Sequence, residues 1–162
     1  MNDTQLSLSD QTDLNTLVIG GLLGAGCSRR VHIFLPDMSK VVKIQTGPFN
    51  FDNVREWDLW LNSENFPLRK WLARCHTISA HGRVLIQERT YPCPDFMLPK
   101  EVPAVLGDLK PGNWGFVFRG GKKVLVCHDY ANLKTVNPLQ TKLKMRKAEW
   151  HSLREKGYLE DR

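Results

Sequence analysis

Four prolines, at positions 92, 94, 99 and 103, crowd the segment Tyr91–Pro103 and divide the chain into two parts. Proline lacks a backbone N–H and fixes φ, so neither a long helix nor a central strand can run through such a segment. It reads as an ordered crossing between two layers.

Ahead of the crossing, LVIGGLLGAGCSRRVHIF predicts an apolar strand, a glycine-rich turn and a second strand through Val31, Ile33 and Leu35. Pro36-Asp37-Met38-Ser39 supplies the next turn, and Lys40–Ile44 a third antiparallel strand. Asp52 or Asn53 can cap a helix reaching about Ser63, with Val54, Trp57 and Leu61 on one face and Trp60 beside them. Pro67 opens a short helical stretch, LRKWLARCH, and HTISA and RVLIQERT form a hairpin around His81-Gly82. Beyond the crossing, Trp114–Phe118 and Lys123–Cys127 flank the turn dipeptide Gly120-Gly121. Leu139, Leu143, Trp150 and Leu153 predict a C-terminal helix ending near Gly157. The expected fold class is α+β, with an antiparallel sheet, one main helix against it and a reduced second part.

At 162 residues, with 41% hydrophobic and 25% charged residues, the chain suits one folded domain and excludes wholesale disorder. Residues 1–15, rich in Asp, Asn, Gln, Ser and Thr, predict a flexible leader, and 16–162 the single domain. No apolar run is long enough to cross a bilayer and no signal-peptide pattern opens the chain, which predicts a soluble cytoplasmic protein without a membrane partner. Cys27, Cys75, Cys93 and Cys127 form no C-x-x-C pair, so neither a zinc ribbon nor a disulfide framework is signalled. A net charge of +6 is too modest to call for nucleic acid.

Chemistry-bearing residues fall in a suggestive order. Gly24 and Gly26 lie in a strand–turn–strand context, where glycines let backbone N–H groups approach phosphates; a plain tight turn uses the same residues. Lys43 is a cation inside an apolar strand, which is costly to bury unpaired; Glu56 on the following helix is the best partner and Glu64 a second. The run Gly107-Asp108-Leu109-Lys110-Pro111-Gly112-Asn113 puts a carboxylate, a cation and an amide in one loop. Phosphoryl transfer needs such a set, and an ordinary turn also favours it. Asp129 ends the next apolar strand, offering a second carboxylate for Mg²⁺ beside Asn113.

Together these segments resemble a protein kinase-like domain in a drastically shortened form. GAGCSRRV is similar to the family's glycine-rich loop, with Arg29 in place of the third glycine; VVKI to the strand carrying the ATP-anchoring lysine; GDLKPGN to the catalytic loop; and HDYA to the metal-binding segment. The resemblance implies ATP and Mg²⁺ as cofactors. It makes Gly24, Gly26, Lys43 and Glu56 nucleotide-binding, Asp108 the catalytic base with Lys110 beside it, and Asn113 and Asp129 the metal ligands. Glu88 to Tyr91 become a hinge offering backbone groups to adenine. Residues 16–91 correspond to the small lobe and 92–162 to a reduced second lobe, too short for the family's usual helical lobe.

Compact kinases of this type resemble those of bacteriophages and bacterial effectors, which implies Ser/Thr phosphotransfer to a host or partner protein in the host-cell cytoplasm. The alternative is a catalytically weak or inactive kinase-like protein that binds and inhibits a partner protein. A third reading, nucleic-acid binding through Lys142, Lys144, Arg146 and Lys147 on the C-terminal helix, carries less weight because basic helix faces are usually solvated. Nothing in the sequence states the oligomeric state.

Overall fold

A computed structural model describes residues 7–133 and 142–151. Helix α1 (Leu8–Val18) opens it, with Ser7 and Asp10 forming a capping box, and buries none of its residues. The flexible leader expected through residue 15 is thus helical from Leu8 onward. The capping box satisfies orphan backbone donors of the first turn.

Strands β1 (Ile19–Ala25), β2 (Arg29–Phe34) and β3 (Lys40–Gln45) follow, then helix α2 (Asp52–Asn62) and a 3-10 turn at Pro67–Trp71. Strands β4 (Cys75–Ile78) and β5 (Val84–Glu88) complete a five-stranded sheet in the order β1-β2-β3-β5-β4, antiparallel throughout. Past it lie β6 (Tyr91–Pro92), β7 (Glu101–Pro103), β8 (Trp114–Arg119), β9 (Lys122–Cys127) and β10 (Met145–Lys147). Strands β6, β8 and β9 make a second sheet, and β7 pairs with β10. Gly120 and Gly121 both take positive φ (57° and 74°), the conformation a two-residue hairpin turn requires. The architecture is the α+β arrangement expected from the hairpin signals.

Two elements differ from the sequence expectation. On α2 the buried side chains are Asn53, Glu56 and Leu59, while Leu61 is exposed and Val54, Trp57 and Trp60 are half-buried. A polar stripe turns inward because buried cations on the sheet await it. The helix is also not capped by Asp52 or Asn53: the Asp52 N–H donates to Asn50 Oδ1 (2.9 Å). In the expected C-terminal helix, residues 145–147 instead form β10, whose register on β7 pairs Arg146 with Val102. Edge pairing satisfies the β7 backbone, and Trp150 stacks edge-on to Trp114 (5.4 Å between ring centroids) while its Nε1 donates to Pro99 O. Leu139, Leu153 and Gly157 lie outside the described residues.

One core crosses the division made by the prolines. Leu59, Phe66, Leu72 and Leu85 from the first part pack with Leu106, Leu109, Trp114 and Tyr130 from the second. The 107–113 loop is anchored by Leu106 and Leu109, which are closed to solvent, so Asp108 between them is held toward the surface. No helix among the described residues is long and apolar enough to cross a membrane.

Candidate functional site

The glycine loop, β3, the end of β5 and the 107–113 loop face one another across a cleft of about 370 Å³. Gly24, Gly26, Val31, Val41, Lys43 and Asp129 are among its walls. Pairing across the sheet sets Val31 opposite Lys43 and Val41 opposite Gln87, which places these side chains on one face. Apolar Val31 and Val41 thereby stand beside a cation.

Lys43 is buried, and its ammonium reaches Glu56 Oε2 at 2.8 Å; Glu64 takes no part. The same ammonium donates to the carbonyl of His128, linking β3 to the strand end that carries Asp129. Glu56 is closed to solvent and is also gripped by Arg29, whose NH1 and NH2 lie 2.9 Å from Oε2 and Oε1. The Tyr130 N–H donates to Oε1 at 3.0 Å. Burial pushes the Glu56 carboxyl up, but Lys43 and Arg29 outweigh it and hold the pKa at about 2. Glu56 therefore organises the site from beneath and lines no part of the cleft.

Arg29 also meets Asp129, NH2 to Oδ1 at 2.9 Å, and its NH1 donates to Asn53 Oδ1 at 3.3 Å. It starts β2, two residues before Val31, so its side chain points to the cleft face. Burial opposes its charge, yet Glu56 and then Asp129 raise its pKa. Asp129 is 46% exposed and its carboxyl is raised above the usual range, chiefly by burial.

Asn113 and Asp129 both face the cleft, opposite the glycine loop. Asp108 lines an adjoining recess that shares those two residues, and its Oδ2 is paired with Lys110 Nζ at 3.0 Å. Lys110 lines neither cavity; it pairs with Asp108, which also raises its pKa. Glu88 lines the cleft, with its side chain and N–H engaged within the protein. Its carboxylate is 2.6 Å from Arg119 NH2, its N–H donates to Arg74 O, and the next amide, of Arg89, donates to Ser39 O.

Several contributors escaped the sequence reading. His128 joins the two parts of the chain: Nε2 faces Gly112 O (2.9 Å) and Nδ1 faces Thr90 Oγ1 (2.8 Å). A carbonyl can only accept, so Nε2 carries the proton and the Thr90 hydroxyl donates to Nδ1. Burial, with Lys43 nearby, lowers the His128 pKa to about 4, which keeps this staple neutral. Gln87 is fully buried beside the cleft and its Oε1 has no hydrogen-bond partner. Asn53 sits one turn before Glu56 on α2, a spacing that could have identified it; nothing in sequence marks His128 or Gln87.

For magnesium, the oxygen donors present are those of Asp129 and Asn113. Mg²⁺ needs carboxylate oxygens free to enter an octahedral shell. Here Oδ1 of the one carboxylate is already taken by a buried, bidentately anchored guanidinium. That leaves Asp129 Oδ2 and the Asn113 amide oxygen as the free donors, a sparse set for a divalent ion before a nucleotide brings its phosphates.

No protein-family model matches the chain, and no curated protein matches it. Among solved structures it is similar to the streptomycin-ATP-APH(2")-IIa ternary complex, at 20% identity and a TM-score of 0.40. The match covers 56% of this chain and 31% of that one, so this chain spans about a third of that structure's length. What the site can do follows from its own geometry.

Proposed function

We propose that this protein is an ATP-dependent phosphotransferase acting on a hydroxyl of a protein, in the manner of a Ser/Thr kinase, on a host or partner target. The observation that carries the reading is the Lys43–Glu56 ion pair set under the glycine loop, with Asp129 and Asn113 on the opposite wall. Each part has a task. Val31 and Val41 provide apolar surface for the base, Lys43 attracts the phosphates, and the loop bearing Gly24 and Gly26 covers them.

In the transfer step the acceptor oxygen attacks the γ-phosphorus, the bond from that phosphorus to the β,γ-bridging oxygen breaks, and ADP leaves. The acceptor proton passes to the Asp108 carboxylate, which Lys110 keeps oriented. Positioning supplies most of the acceleration in such reactions, so a small scaffold is no bar to chemistry.

The test is transfer of labelled γ-phosphate to the protein itself or to a cell extract. Asp108→Ala should lower transfer by about 10²–10⁴-fold while leaving ATP binding nearly intact. Label appearing in small molecules only would reassign the acceptor. A second reading, a kinase-shaped protein that binds and inhibits a partner without transfer, is favoured by the Arg29–Asp129 contact. Equal behaviour of wild type and Asp108→Ala in the cell would select it.

A further inference from the structure

We infer that Arg29 takes the place of a divalent cation at Asp129, so that the cleft binds a nucleoside triphosphate without metal. The inference rests on the nucleotide-binding reading above and goes beyond it.

The argument is one of charge. Lys43, Glu56 and Asp129 alone would carry one net negative charge beneath and beside a phosphate site, which would repel a polyanion until a cation was imported. Arg29 adds the missing positive charge from within the chain. Its guanidinium lies 2.9 Å from Asp129 Oδ1 and 2.9 Å from both Glu56 oxygens, and Asn53 Oδ1 accepts from NH1 at 3.3 Å. The cluster of Lys43, Arg29, Glu56 and Asp129 is then neutral before any ligand arrives.

Two features separate this from an incidental surface contact. Arg29 is 7% exposed and its fork is fixed by the fully buried Glu56, so the charge cannot swing away into water. A fixed charge in a partly desolvated cleft acts at a lower effective dielectric than one in solvent. Ser28, beside Arg29, ties the loop to α2 through Asp52 (2.7 Å). Asp129 in turn holds Arg29 against the wall opposite the loop and is itself half exposed, so its removal leaves the buried part of the cluster in place.

The experiment is calorimetric titration of ATP into the purified chain, once with excess MgCl₂ and once with excess EDTA. The wild type should bind with affinities within about threefold of each other in the two buffers. Arg29→Gly should lose at least about tenfold in EDTA and recover with magnesium, and Arg29→Lys should restore metal-free binding. Asp129→Ala removes the carboxylate that Arg29 neutralises and should tighten metal-free binding, whereas a metal ligand would show a loss confined to the magnesium buffer. Wild-type binding that collapses in EDTA, or Arg29→Gly binding equally in both buffers, overturns the inference while leaving nucleotide binding standing. No binding in either buffer overturns both.

Discussion

Lys43 Nζ lies 2.8 Å from Glu56 Oε2 with both side chains closed to solvent, and Arg29 completes the set on the other side of the carboxylate. One anion thus supports two buried cations. Glu56→Gln strands both charges and should destabilise the protein by about 3–5 kcal/mol. Lys43→Met leaves the Arg29–Glu56 pair intact and should cost less, about 1–3 kcal/mol. Urea unfolding at neutral pH ranks the two, and equal losses would show that Arg29 contributes nothing to holding Glu56.

Acid should weaken the fold in two stages. His128 has its pKa depressed to about 4 in the folded state, so the unfolded chain binds its proton first. Its contribution is complete above the ordinary histidine pKa near 6.5 and is lost as pH falls toward 4. Glu56, held at about 2, adds a second loss below the ordinary value of 4.5. Thermal unfolding followed from pH 7 to pH 4.5 should show a falling midpoint, and His128→Gln should flatten that part of the curve. An unchanged slope in the variant counts against the neutral staple.

Gly24 has open space where a side chain would begin, with no atom within 4 Å of an added Cβ. Its substitution therefore separates folding from ligand binding. Gly24→Val should leave stability within about 0.5 kcal/mol and weaken ATP binding by about tenfold or more, read by chemical denaturation and calorimetry. A stability loss without a binding loss would make the loop structural.

The Glu88–Arg119 pair joins the first sheet to the second, and Arg119 NH2 also donates to Leu72 O at 3.0 Å. Both side chains are largely buried, at 14% and 17% exposure. Arg119→Ala should cost about 1–3 kcal/mol while leaving ATP affinity within about twofold, because these groups bind each other and not the ligand. A large affinity change would return Glu88 to the binding site.

Much of this arrangement was legible in the amino-acid order because it depends on local rules. Alternating apolar residues around Gly24–Gly26, Gly82 and Gly120-Gly121 specify hairpins, since turn chemistry and the two-residue period of a strand act within a few residues. Lys43 announced a buried partner because an unpaired ammonium in an apolar strand is too costly, and Glu56 supplied it. The proline crossing marked where the first sheet ends, as no central strand can pass through it.

Other features depended on where distant segments met. Periodicity put Val54, Trp57 and Leu61 inward on α2, but the charges of Lys43 and Arg29 turned the Asn53–Glu56 stripe inward instead, a preference no helix carries alone. Met145–Lys147 joined β7 as a strand, because an open sheet edge offers backbone partners that an isolated helical pattern cannot foresee. Chain-local geometry and the cost of a lone buried charge were enough to mark the hairpins, the crossing and a carboxylate partner for Lys43, with Glu56 ahead of Glu64. Only the tertiary structure decided that Arg29 closes on Asp129, a hundred positions away, and that His128 joins Thr90 to Gly112. Contacts at such separation exist only once burial has brought the two parts of the chain around one core.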